Sequence, residues 1–120
     1  MISCFAFYVV EFPNESKAKE SFQVFSDHYS GPSMTEGQTV TVIESPLVGD
    51  ERVASTLLST VWQIGSCGTR DVYAYAAVIF RRGSVLVEVV GFSPRAVPSP
   101  DLSFQMAEVL QKRVDGLIPR

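Results

Sequence analysis

The sequence predicts an α+β fold: a mainly antiparallel five-stranded sheet with two helices packed on one face, in the order β-α-β-β-β-β-α. Three observations carry this. Residues 2–12 (ISCFAFYVVEF) and 71–92 are rich in aromatic and β-branched types, the signature of strands. Residues 14–29 and 100–115 instead repeat their apolar positions at steps of three and four, the signature of amphipathic helices. The long segments 71–82 and 85–92 meet at Arg82-Gly83, a tight-turn sequence, so they run antiparallel.

That central pair is apolar on both sides. Val72, Ala74, Ala76, Val78 and Phe80 share one face, and Tyr73, Tyr75, Ala77 and Ile79 the other. Val85, Val87 and Val89 oppose Leu86, Val90 and Phe92, and only Glu88 breaks the run. A strand wet on one side alternates apolar and polar residues. These strands do not, so both faces need cover.

The first strand, 2–12, has the same two-sided character, with Cys4, Ala6, Tyr8 and Val10 against Phe5, Phe7 and Val9. Pro13 stops it, and Asn14 is an N-cap, with Glu15 in the first turn where a negative charge suits the helix dipole. Ala18, Phe22, Phe25 and Tyr29 form the stripe of the helix that follows, which Gly31-Pro32 ends. Residues 38–44 (QTVTVIE) alternate cleanly as a strand. Residues 52–64 carry many β-branched types and read as a strand, with a short helix over 54–58 as the competing assignment. Ser99-Pro100-Asp101 starts the last helix, with Leu102, Met106, Val109, Leu110, Val114 and Leu117 as its expected buried face.

One domain accounts for 120 residues, and with 46% apolar and 19% charged residues the chain can fill a core. The net charge of −3 and the scattering of ten Lys and Arg argue against nucleic acid, which needs clustered positive charge. No apolar run is long enough to span a bilayer. Residues 1–12 lack the basic start of a signal peptide, and Glu11 and Pro13 stand where a cleavage site would be. Strand structure from residue 2 onward suggests a piece of a longer protein. Cys4 and Cys67 are the two cysteines, read either as unpaired thiols or as one bridge. Such a bridge would close a loop of roughly 60 residues and stabilise by about 4 kcal/mol.

The residues offer little reactive chemistry. His28 is the sole histidine and suits a helix C-terminus as a solvated side chain. No metal-ligand spacing, phosphate loop, nucleophile elbow or dinucleotide fingerprint occurs, so no cofactor or metal is implied. Asp50 and Glu51 are adjacent carboxylates, read as a turn with solvated charge or as an acid/base pair. Arg81-Arg82-Gly83 reads as a hairpin turn with solubilising charge in preference to an anion site. Trp62, Tyr8, Tyr73 and Tyr75 serve either packing or an aromatic partner surface.

Two stretches are familiar together: 47–53 (LVGDERV) opening a strand and 77–89 (AVIFRRGSVLVEV) as a hairpin, followed by 106–114 (MAEVLQKRV) in a final helix. From residue 47 onward the chain resembles small extracytoplasmic domains of bacterial lipoproteins. It is loosely similar to the extracellular sensor domains of some bacterial serine/threonine kinases. The resemblance implies an exported α+β domain that binds a ligand or partner, anchored at the membrane in its full-length form. It brings no catalytic residue, no lipidation signal is visible, and a disulfide would suit export.

Two helices on one face would leave the other face bare. The leading expectation is therefore a non-catalytic binding domain. It would pair with a second copy, or take an apolar small molecule, through that face, with Phe7, Trp62, Tyr73 and Tyr75 contributing. A small dimeric enzyme using His28, Asp50 or Glu51 between sheet and helices is the second reading. One half of a tandem pair, its other half covering the bare face, is the third.

Overall fold

A computed structural model describes residues 4–30, 37–59, 63–64, 70–71, 73–94 and 96–117. The elements follow in the order β1 (Cys4–Glu11), α1 (Glu15–Ser30), β2 (Gln38–Ile43), β3 (Glu51–Ser59), β4 (Gln63–Ile64), β5 (Arg70–Asp71), β6 (Tyr73–Arg82), β7 (Val85–Pro94) and α2 (Asp101–Leu117). Five strands form one antiparallel sheet in the order β1-β7-β6-β3-β2, and β4 pairs with β5 in a small separate ladder. The α+β class and the element order match the sequence reading. The strand expected over 52–64 ends instead at Ser59, with β4 beyond it.

Local signals act as their chemistry dictates. Asn14 caps α1, its Oδ1 accepting the Lys17 N–H at 2.9 Å. Ser99 Oγ accepts the Asp101 N–H at 3.3 Å at the start of α2. The β6–β7 hairpin turns on Gly83-Ser84, with Gly83 at φ 60°, and Arg82 pairs with Val85.

The helices lie on opposite faces of the sheet, where the sequence led us to expect both on one. On one face Phe22 and Tyr29 of α1 cluster with Leu57, Tyr75, Ala77, Ile79, Leu86 and Val90. On the other, Ala107, Leu110 and Val114 of α2 cluster with Ala54, Val78, Phe80, Val85, Val87 and Val89. The reason is the two-sided apolar character of β6 and β7: one helix on each face buries both sides of the central strands. The face expected to be bare is therefore half covered by the chain itself.

The buried stripe of α2 also differs from the expected one. Ser103, Ala107, Leu110 and Val114 face the sheet, whereas Leu102, Val109 and Leu117 are exposed. Small residues at the contact let the helix lie close, and Ser103 Oγ donates to the Ala76 carbonyl at 3.0 Å. In α1, Ala18, Phe22 and Tyr29 are buried as expected, but Phe25 is 38% exposed.

Candidate functional site: the β1 side of the sandwich

β1 is an outer strand, paired on one side with β7. Its register runs from Cys4 opposite Phe92 to Glu11 opposite Val85. The Phe12 N–H donates to the Ser84 carbonyl at 2.9 Å, one step beyond that register. Hydrogen-bonded pairs alternate along an antiparallel ladder, so Val10, Tyr8 and Ala6 also turn their N–H and C=O groups toward β7. Phe5, Phe7, Val9 and Glu11 turn theirs outward, along the open edge.

The usual protection of an open edge is missing over residues 4–10, which hold no charge and no proline. From Phe7 onward their side chains are exposed as well: Phe7 is 53% exposed and Tyr8 61%, with Val9 and Val10 close behind. The opposite edge, β2, is shorter and carries Thr39 and Thr41.

The helices frame this edge differently. One flank of α2 faces the loop before β3, where Gln111 Oε1 accepts the Gly49 N–H. By helical geometry Leu102, Met106 and Val109 lie on the other flank of α2, which packs mainly on β6 and β7. On the opposite face Phe25 of α1 leans over β1, with Val24 next to it. Among the described residues, thirteen large apolar side chains are exposed; Phe7, Tyr8, Val9 and Val10 belong to β1, and Phe25 stands beside it.

Between β1 and α1 runs a groove of about 310 Å³ lined by Tyr8, Val10, Phe12, Phe25, Leu86 and Glu88. Glu88 sits opposite Tyr8 in the ladder and is the one acidic group in that lining. Burial raises its pKa above the ordinary carboxyl value, while the Tyr29 hydroxyl and the nearby His28 pull the other way. Tyr29 itself is held well above the usual phenol range, first by burial and then by the Glu88 charge. It therefore stays protonated and donates to Glu88.

The residues singled out from sequence divide. Phe7 is on the exposed edge. Tyr75 is in the core at 7% exposure, where its ring meets Tyr29 at 5.8 Å and Phe92 at 6.2 Å, both edge to face. It serves packing and not a partner surface. Trp62 and the Tyr73 side chain lie outside the described residues. Cys4 is disulfide-bonded, and Cys67 lies outside the described residues. Among the described residues no cluster of His, Cys, Asp and Glu could hold a metal, and no helix is long and apolar enough to cross a membrane.

Asp50 and Glu51 are bound into an ion-pair knot at the hairpin end. Arg81, only 4% exposed, places Nε 2.7 Å from Glu51 and its Nη1 3.1 Å from Glu15 and 3.5 Å from Asp50. Arg82 bridges Asp50 at 2.8 Å and Asp115 at 2.9 Å. The Gly83 N–H, which donates to Asp50 at 2.8 Å, and Arg82 hold the Asp50 carboxyl below its ordinary value. A carboxylate held ionised in this way serves the hairpin, tying β3, α1 and α2 to it, and is poorly placed to exchange protons near neutrality. Arg81 is thus a buried anchor and not a solubilising charge. His28 is exposed, its ring edge to face with Tyr29 at 5.1 Å.

No family model matches the chain, and searches of curated proteins and of solved structures return no match.

Proposed function

We propose that this is an interaction domain that works by binding and not by catalysis, and that the occupant of its β1 edge is a second copy of itself. The observation that carries this is the run of four exposed large apolar side chains, Phe7 to Val10, on an outer strand without charge or proline over residues 4–10, with Phe25 beside it. Two copies of β1 running antiparallel would join the two sheets into one of ten strands, with α1 beside its counterpart on one face and α2 on the other.

Area and charge favour a second copy. Taking about 200 Å² for a whole aromatic residue and about 150 Å² for an aliphatic one, the five residues expose roughly 440 Å² per copy, enough for the apolar centre of a standard interface of ~800 Å² per partner. A two-fold interface brings a patch against itself, so a charge near the axis meets its like. Residues 4–10 hold none.

Sedimentation equilibrium across the micromolar range tests this. A dimer that dissociates on dilution is the expected result, and a monomer at every concentration would contradict it. We also place the domain outside the cytoplasm, supported by the disulfide at Cys4. Replacing Cys4 with Ser should then cost about 2–4 kcal/mol of stability, and a melting temperature indifferent to reductant would count against that placement.

A further inference from the structure

The groove between β1 and α1 has a composition that selects its ligand. Its volume of about 310 Å³ lies at the small end of small-molecule sites. Tyr8, Phe12 and Phe25 supply three rings, Val10 and Leu86 aliphatic walls, and Glu88 a single half-buried carboxylate. We propose that this groove binds small hydrophobic amines, with the ammonium on Glu88 and the apolar body among the three rings.

The choice follows from what each class of ligand does to Glu88. A neutral apolar molecule filling the groove strips the remaining water from the carboxylate and gives nothing back, which is costly. An anion is repelled. An ammonium restores the lost hydration with a charge-assisted hydrogen bond. Tyr29 already donates to the carboxylate, which has about four acceptor positions, so places are left for the ligand's N–H groups. The ring faces attract the same positive charge. One copy supplies all six lining residues, although Tyr8, Val10 and Phe25 also belong to the surface proposed for pairing of β1 edges.

The groups facing Glu88 are Tyr29 and His28 of α1 and Tyr8 of β1. Tyr29 stays protonated. Protonation of Glu88 removes the anion, so acid weakens binding.

The test is calorimetric titration at neutral pH with 2-phenylethylammonium and with its neutral counterpart 2-phenylethanol. The amine should bind on the order of tenfold more tightly than the alcohol in the wild-type protein. Glu88→Gln should abolish that preference while leaving the weak affinity for the alcohol, which shows that the groove is still formed. Val9→Pro, which blocks the edge, should keep the amine preference, so failure of the pairing and failure of the amine site are told apart. Equal binding of amine and alcohol by the wild-type protein, no binding of either, or an amine preference that survives Glu88→Gln would each overturn the proposal.

Discussion

At Gly49 the backbone takes φ +65°, and a Cβ there would lie 2.6 Å from the Arg81 carbonyl oxygen and 2.8 Å from the Phe80 ring. Neither the backbone oxygen nor a fully buried ring can move aside. Gly49→Ala should therefore cost about 2–4 kcal/mol in denaturant unfolding. Arg81→Ala leaves three carboxylates without their shared cation. Because those carboxylates are from a third to more than half exposed and can rehydrate, about 2 kcal/mol is expected, below the usual cost of breaking a fully buried pair. Asp50 and Glu88 respond to pH with opposite signs. The Asp50 pKa is depressed on folding, so its contribution is present above the ordinary carboxyl value and disappears as the pH falls through its lower folded value. The Glu88 pKa is raised, so ionising it costs stability once the pH climbs through its folded value. Glu88→Gln should accordingly raise the melting temperature at neutral pH and match the wild-type protein near pH 4. A variant less stable at neutral pH would mean that the Tyr29 hydrogen bond outweighs burial. Asp50, Glu51 and Arg81 were visible in the sequence as charges in turns. Their joining was not, because 30 residues separate Glu51 from Arg81 and 66 separate Glu15 from it.

For the elements, local chemistry was a sound guide. The Asn14 and Ser99 caps and the Gly83 hairpin each act within a few residues, and each is where the sequence put it. What local chemistry could not give was the side of the sheet each helix would take, because two-sided apolar strands accept a helix on either face. The same limit applied to α2. Leu102, Val109 and Leu117 are as apolar as a core residue, and sequence alone ranked them above Ser103 and Ala107. Packing reversed that ranking and left Leu102 and Val109 exposed on the helix. The edge strand offers a sharp contrast between neighbours. Val9 turns its N–H outward, so Val9→Pro should leave the fold intact and abolish self-association. Val10 turns its N–H toward β7, so Val10→Pro should lose a ladder hydrogen bond and cost on the order of 2–3 kcal/mol. Circular dichroism melts and sedimentation on the two variants check this pair. Equal damage from both would mean that the outward face of β1 has been misassigned.

Across the whole molecule, each helix shields the middle of one face, and a run of unshielded apolar side chains lies on β1. α1 lies over β2, β3, β6 and β7, and α2 over β6 and β7. The central strands are consequently buried on both faces, while among the described residues β1 pairs with β7 alone. The sequence disclosed the excess of apolar strand but not its location, since an excess spread over a bare face and one gathered at an edge have the same composition. Residue-resolved amide exchange in concentrated and in dilute solution probes the pairing most directly. The N–H groups of Phe5, Phe7, Val9 and Glu11 should be protected when concentrated and exchange freely when dilute, while those of Ala6, Tyr8 and Val10 stay protected throughout. Free exchange of the first set at every concentration would contradict the pairing of two copies through β1.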